Sequence, residues 1–185
     1  MEFFRTISLP FTKELATEAE AIMQNDCNTE FRYIKHLTVS EDLKVRMNNY
    51  LASRNISEVS EVIVFKKRFT KVAAEYCHID GHSARRITKC AIIVPVANCK
   101  NTGQFWFDGD YDVVEKSVGE INYTAIQWKS TPALSKLTEI YESPIIARVN
   151  VPHEIFNHNK DSYRITCSIR FKDNEDYDYA AKALS

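Results

Sequence analysis

The sequence predicts a mainly β domain, a sandwich or closed barrel, behind N-terminal covering helices. Three observations predict it. Apolar residues at helical spacing cluster before residue 55. From residue 60 onward the pattern changes to short runs of β-branched and aromatic residues. Turn residues punctuate those runs at short intervals, as in all-β folds. With 185 residues the chain holds one core of ordinary size and reads as a single domain, 1–55 as helical cover and 60–172 as β core.

The elements follow in order. Leu15, Ala16, Ala19, Ile22 and Met23 recur at helical spacing from Thr12. A second helix is expected from Ser40, its N-cap, through Leu43, Met47 and Leu51. Val62–Phe65 and Ala91–Val96 read as strands. Phe105–Phe107, Asp108-Gly109 and Tyr111–Val114 have the pattern of a hairpin with a primed turn. A short helix is expected after Thr131 and Pro132, with Leu134 and Leu137 facing inward. Further strands are expected at Ile145–Val149, Val151–Phe156 and Tyr163–Phe171. The charged tail Lys172–Asp178 reads as solvated.

Composition excludes several classes. Hydrophobic residues at 44% and charged residues at 26% describe a soluble globular chain. The net charge of −1 supplies no field that would gather nucleic acid or a membrane surface. No apolar run approaches the length of a membrane span. The five cysteines are odd in number and form no C-x-x-C pair, which points to reduced thiols rather than a disulfide frame or zinc ribbon. The opening Met1-Glu-Phe-Phe-Arg-Thr lacks the shape of a signal peptide, so a cytoplasmic setting is expected.

Two segments carry chemistry. In Tyr76-Cys-His78-Ile-Asp80-Gly81, residues two apart on a strand share a face, so His78 and Asp80 can approach one metal ion together. Imidazole with carboxylate suits a borderline divalent metal such as iron. Alone the pair is weak, because a His and Asp at a strand end also simply hydrogen-bond each other. Tyr76 shares the face of His78 and either contacts a ligand or packs. Cys77 points the other way and reads as packing.

The second segment runs from Val151 to Phe171. Its turn-rich stretch from Asn157 to Ser162 is expected to close a hairpin, with His153 opposite Thr166 and Ile155 opposite Arg164. The last strand divides into a polar face (Arg164, Thr166, Ser168, Arg170) and an apolar face (Tyr163, Ile165, Cys167, Ile169, Phe171). Either the polar face meets solvent, or it lines a cavity while helices cover the apolar one.

Together these segments resemble the iron(II)/2-oxoglutarate-dependent oxygenase superfamily. Its signature is H-x-D, a distant His and a downstream Arg, matched here by His78-Ile-Asp80, His153 and Arg164. His153-x10-Arg164-x-Thr166 looks like the H-x10-R-x-S/T pattern of many members, with Thr in place of the commoner Ser. Ala91–Asn98, Thr102–Phe107 and Ile145–His153 are similar to small phage and marine-microbial members. The resemblance spans roughly residues 60–172 and implies a double-stranded β-helix, a jelly-roll and cupin-like barrel.

It also implies Fe(II) held by His78, Asp80 and His153. The cosubstrate 2-oxoglutarate would be anchored by Arg164 and Thr166 with Tyr76 nearby, and molecular oxygen consumed. Hydroxylation of a C–H bond, with succinate and carbon dioxide formed, is the implied outcome. Halogenases of the superfamily lack the triad carboxylate, so Asp80 argues against that branch. A phage-encoded member would work in its host's cytoplasm. Arg170 reads as a rim charge, and Arg85 and Arg86 as solvated. His36, His82 and His158 have no expected role in catalysis, while Trp106 and Trp128 read as core. Three functions stay open: an oxygenase of small molecules, one of proteins or nucleic acids, and a silent jelly-roll used for binding. The compact chain favours the first.

Overall fold

A computed structural model describes residues 1–24, 32–69, 76–80, 88–118, 121–140 and 142–185. In chain order its elements are β1 (Phe4–Thr6), α1 (Thr12–Gln24), β2 (Arg32–His36), α2 (Glu41–Ala52), β3 (Val59–Lys67), β4 (His78–Ile79) and β5 (Cys90–Ala97). Then come β6 (Thr102–Asp108), β7 (Tyr111–Val118), β8 (Ile121–Trp128), β9 (Ala133–Glu139), β10 (Ile145–Arg148), β11 (His153–Asn157), β12 (Arg164–Phe171) and α3 (Tyr177–Ala183).

The strands form two antiparallel sheets of six, ordered β1-β10-β5-β12-β3-β2 and β7-β8-β4-β11-β6-β9. From β3 the chain passes back and forth between them: β3, β5, β10 and β12 go to the first sheet, β4, the consecutive strands β6 to β9, and β11 to the second. This is jelly-roll winding, and it lays β12 across the interior from β4 and β11. The described residues form a two-sheet sandwich rather than a closed barrel.

The largest apolar cluster lies outside the sandwich. Val62, Val64, Ile92, Val94, Cys167 and Ile169 of the first sheet pack under Leu15, Ala19 and Met23 of α1 and Leu43, Met47 and Leu51 of α2. The expected helical spacing is thus the spacing that meets the sheet. With its apolar face covered by helices, β12 is free to turn its polar face inward. Ser40 stands at the N-cap of α2, but its hydroxyl bonds Glu18 Oε1 of α1 at 2.6 Å and ties the two helices together. Ahead of residue 55 the chain also supplies β1 and β2, which edge the first sheet.

Four expectations are corrected. Asp108-Gly109 closes no hairpin, because β6 pairs with β11 and β9 while β7 pairs with β8. The segment after Thr131 is strand β9, not a helix, and Leu134 and Leu137 are exposed. A helix that short is marginal unless an apolar face is buried, whereas the ladder to β6 satisfies its backbone from Gly103↔Glu139 to Asp108↔Ala133. The close approach of β9 explains Gly103, where a Cβ would lie 1.9 Å from the Thr138 carbonyl oxygen. The tail Lys172–Asp178 is solvated except at Tyr177, which is buried at the start of α3, where Asp176 accepts from the amides of Asp178 and Tyr179.

The fourth concerns the last two strands. β11 and β12 lie in different sheets, so His153 stands opposite Trp106 and His78, Ile155 opposite Gln104, and Thr166 opposite Phe65 and Pro95. The turn-rich residues cross between sheets instead of folding one ladder back. Asn157 Nδ2 secures that crossing, donating to Lys67 O at 2.9 Å and Ser162 O at 3.0 Å. Side chains of β12 still reach the second sheet from the opposite wall, Arg164 to Thr102 and Arg170 to Asp80.

Candidate metal centre and anion pocket

His78 and His153 are direct partners across β4 and β11. Directly opposed residues of an antiparallel pair point to the same side, and the two rings lie 4.4 Å apart between centroids. Each ring is fixed from behind. His78 Nδ1 bonds Tyr76 O at 3.1 Å, and His153 Nδ1 bonds Val151 O at 2.9 Å. A carbonyl only accepts, so Nδ1 carries a proton in both rings and Nε2 is the nitrogen that each turns to the interior.

Those two nitrogens face one oxygen. Asp80 Oδ1 lies 3.4 Å from His78 Nε2 and 3.8 Å from His153 Nε2. The three ligand atoms fall within 4.8 Å of one another, so His78, Asp80 and His153 form a group able to hold a metal ion. Val149 positions the carboxylate by accepting the Asp80 amide at 2.8 Å.

The other Asp80 oxygen is held by Arg170, whose Nη2 lies 2.5 Å from Oδ2. Arg170 is therefore no rim charge; it is 6% exposed and reaches across the sandwich. Burial would push the Asp80 carboxyl up, but the positive charge of Arg170, with His153 and His78, holds it well below the usual carboxylate range.

A second polar region shares this interior. Arg164 is fully buried, and its Nε donates to Thr102 Oγ1 of β6 at 3.1 Å. Its Nη1 and Nη2, the Thr166 and Ser168 hydroxyls and Arg170 Nη1 have no hydrogen-bond partner among the described residues. Burial lowers the Arg164 pKa to about 10, which leaves the guanidinium charged at neutral pH. A buried cation with open donors is chemically suited to receive an anion.

No family model matches this sequence, and no curated protein matches it. Among solved structures, the epimerase SnoN in complex with Fe3+, alpha-ketoglutarate and nogalamycin RO aligns over 92% of this chain and 79% of its own, with 10% identity and a TM-score of 0.53. The fold is a jelly-roll shared with SnoN. A Pseudomonas putida prolyl-4-hydroxylase aligns over 91% of this chain and 90% of its own at 11% identity, with a TM-score of 0.47 that is too low to bear on the fold.

Within the jelly-roll, the other residues singled out in the sequence fall as follows. Tyr76 is half-buried, its ring 5.4 Å from Lys67 Nζ, and it meets the triad through its carbonyl. Lys67 in turn donates to Ile155 O and lies 3.5 Å from Glu154 Oε1. Cys77 packs with Phe105, Phe107 and Phe156 on the outer side of the second sheet, and burial pushes its thiol up. Trp106 is core, its Nε1 donating to Arg148 O at 2.9 Å. Trp128 is half-buried against Phe107 and Tyr111. His158 lies beside Phe156, and His36 pairs with Glu61 at the surface. Gly81, His82, Arg85 and Arg86 lie outside the described residues. No described helix is long and apolar enough to cross a membrane.

Sequence reasoning missed the task of Arg170 and the inward place of Gln104. The first was legible, since Arg170 shares a strand face with Arg164. The second had a weaker signal: Thr102 and Gln104 are polar at alternate positions of a strand whose other face carries Phe105 and Phe107.

Proposed function

We propose that this chain is an Fe(II)- and 2-oxoglutarate-dependent oxygenase that hydroxylates a C–H bond of a small molecule. One observation carries the reading: two Nε2 atoms and a carboxylate oxygen converge in the same interior where Arg164 holds two open N–H groups.

The residues fit both implied groups. Two neutral imidazoles and one carboxylate are the donor set of non-haem iron(II) oxygenases. His78 Nε2, His153 Nε2 and Asp80 Oδ1 would hold the metal, and Arg170 keeps Oδ2 from competing for it. Arg164 would pair with the far carboxylate of 2-oxoglutarate, for which a planar guanidinium is suited, and Thr166 would donate beside it. Iron and oxo acid, when bound, would supply oxygen activation coupled to loss of carbon dioxide and formation of succinate. The chain's own part is to orient and to keep water out. Trp106, paired with His153 across β6 and β11, and Val149, whose carbonyl holds the Asp80 amide, are both buried in the interior apolar cluster.

The resemblance carried by His78-x-Asp80, His153 and Arg164 supports this reading, and so does the SnoN-like fold. SnoN is an epimerase, so inversion of a carbon centre is a second outcome of the same site. A silent jelly-roll accounts poorly for Arg164, since an unfilled buried cation destabilises a fold that has no ligand for it. Production of succinate from 2-oxoglutarate with added Fe(II) and oxygen tests the proposal. Activity is expected in the wild type and lost in His78→Ala; no succinate under any condition would refute it.

A further inference from the structure

Gln104 has no task in the arrangement above. Strand β6 alternates, with Thr102, Gln104 and Trp106 turned one way and Gly103, Phe105 and Phe107 the other. Thr102 fixes the first sense as inward, because its Oγ1 accepts from Arg164 of the opposite sheet at 3.1 Å. Gln104 is 1% exposed, and its Nε2 has no hydrogen-bond partner among the described residues. A buried amide without an acceptor carries a desolvation penalty that a bound acceptor relieves.

The ladder gives its depth. His153 stands opposite Trp106 and Ile155 opposite Gln104. Gln104 therefore lies two residues along the strand from the level of the metal group, about 7 Å. Beside it, through Thr102, is the guanidinium of Arg164. Arg164 Nη1 and Nη2, Thr166 Oγ1 and Gln104 Nε2 are all open. Neither the guanidinium nor the amide nitrogen can accept, so their common partner is rich in acceptors, as a carboxylate is.

We infer that Gln104 is a specificity-determining residue for the 2-oxo acid. Its amide donates to the far carboxylate beside Arg164 and, from a fixed depth, selects the chain length of the acid. The inference rests on the oxygenase reading of the same site. An oxo acid with no far carboxylate leaves Gln104 unused. One with an additional methylene carries its carboxylate past the amide.

Binding without turnover tests it. The whole chain is loaded with Fe(II) in the absence of oxygen and titrated by calorimetry with 2-oxoglutarate, 2-oxobutyrate and 2-oxoadipate. Gln104→Leu is expected to bind 2-oxoglutarate about tenfold more weakly and 2-oxobutyrate as the wild type does. Gln104→Asn, which withdraws the amide by one methylene, is expected to narrow the preference for 2-oxoglutarate over 2-oxoadipate. Unchanged 2-oxoglutarate affinity in Gln104→Leu overturns the inference, as does an equal loss for 2-oxobutyrate. If Gln104→Leu does not fold, an unchanged preference in Gln104→Asn overturns it. Arg164→Ala separates the two levels. Where that variant weakens 2-oxoglutarate and Gln104→Leu does not, this inference alone fails. Where the wild type binds no 2-oxoglutarate, the oxygenase reading fails and this falls with it.

Discussion

Arg170 and Asp80, 90 residues apart in the chain, meet across the sandwich at 2.5 Å, and they divide the carboxylate between them. Oδ2 belongs to the guanidinium, while Oδ1 faces both imidazoles. A ligand oriented by a partner behind it binds metal more tightly, because the ordering is done before the ion arrives. Arg170→Gln is therefore expected to weaken metal binding by about 10- to 100-fold. Anaerobic calorimetry with Fe(II), or with Mn(II) as a redox-inert substitute, reads the effect; equal affinity would show that Arg170 does not orient the ligand.

The same pairing fixes a pH dependence in the metal-free protein. The Asp80 carboxyl is lowered in the fold, while in the unfolded chain it titrates near its ordinary value of about 4. A lowered acid binds its proton less readily when folded. Its stabilising contribution is thus complete above pH ~4 and is lost as pH falls through the folded value. The stability gap between wild type and Asp80→Asn should be widest near neutrality and should shrink below pH ~4. Urea unfolding at several pH values measures it, and a gap that widens in acid would reverse the sign.

Arg164 poses a different trade. It is fully buried with two open nitrogens, and replacing such a charge by an apolar side chain of similar volume is often neutral or stabilising, by about 1–4 kcal/mol. Arg164→Met is expected to raise the melting temperature of the ligand-free protein while abolishing its stabilisation by 2-oxoglutarate. Metal affinity should stay near that of the wild type, since Arg164 touches no member of the triad. A lower melting temperature with 2-oxoglutarate binding intact would remove Arg164 from the anion pocket.

How far the sequence could be read depends on range. Within one strand or helix, geometry is local: His78 and Asp80 share a face because they are two apart, and Leu43, Met47 and Leu51 form a stripe because they are four apart. Those readings stand. Which strand lies beside which is decided by distant residues. The turn after Asn157 looks the same whether the chain folds back in one sheet or crosses to the other, so the local pattern predicts one ladder for β11 and β12, which occupy two sheets. Leu134 and Leu137 have helical spacing, but β6 offers β9 a backbone ladder that no local pattern reveals. His78, Asp80 and His153 meet all the same, and residues facing across a sandwich can converge as residues paired within a sheet do.

Gly103 supplies the last test, one of structure rather than chemistry. Its missing side chain admits the β9 backbone, and an added methyl would sit 1.9 Å from Thr138 O and 2.8 Å from a Phe156 ring carbon. Neither neighbour yields easily, since one is backbone and the other ring is buried against Phe105. Gly103→Ala is expected to push β9 off the sheet edge and destabilise the protein by about 1–3 kcal/mol, read by urea unfolding. Because β6 also carries Thr102 and Gln104, the variant should loosen the anion pocket as well. Its affinity for 2-oxoglutarate should fall while its affinity for metal, set by β4, β11 and Arg170, holds. Equal losses of both would mean that β6 supports the whole interior rather than the anion end alone.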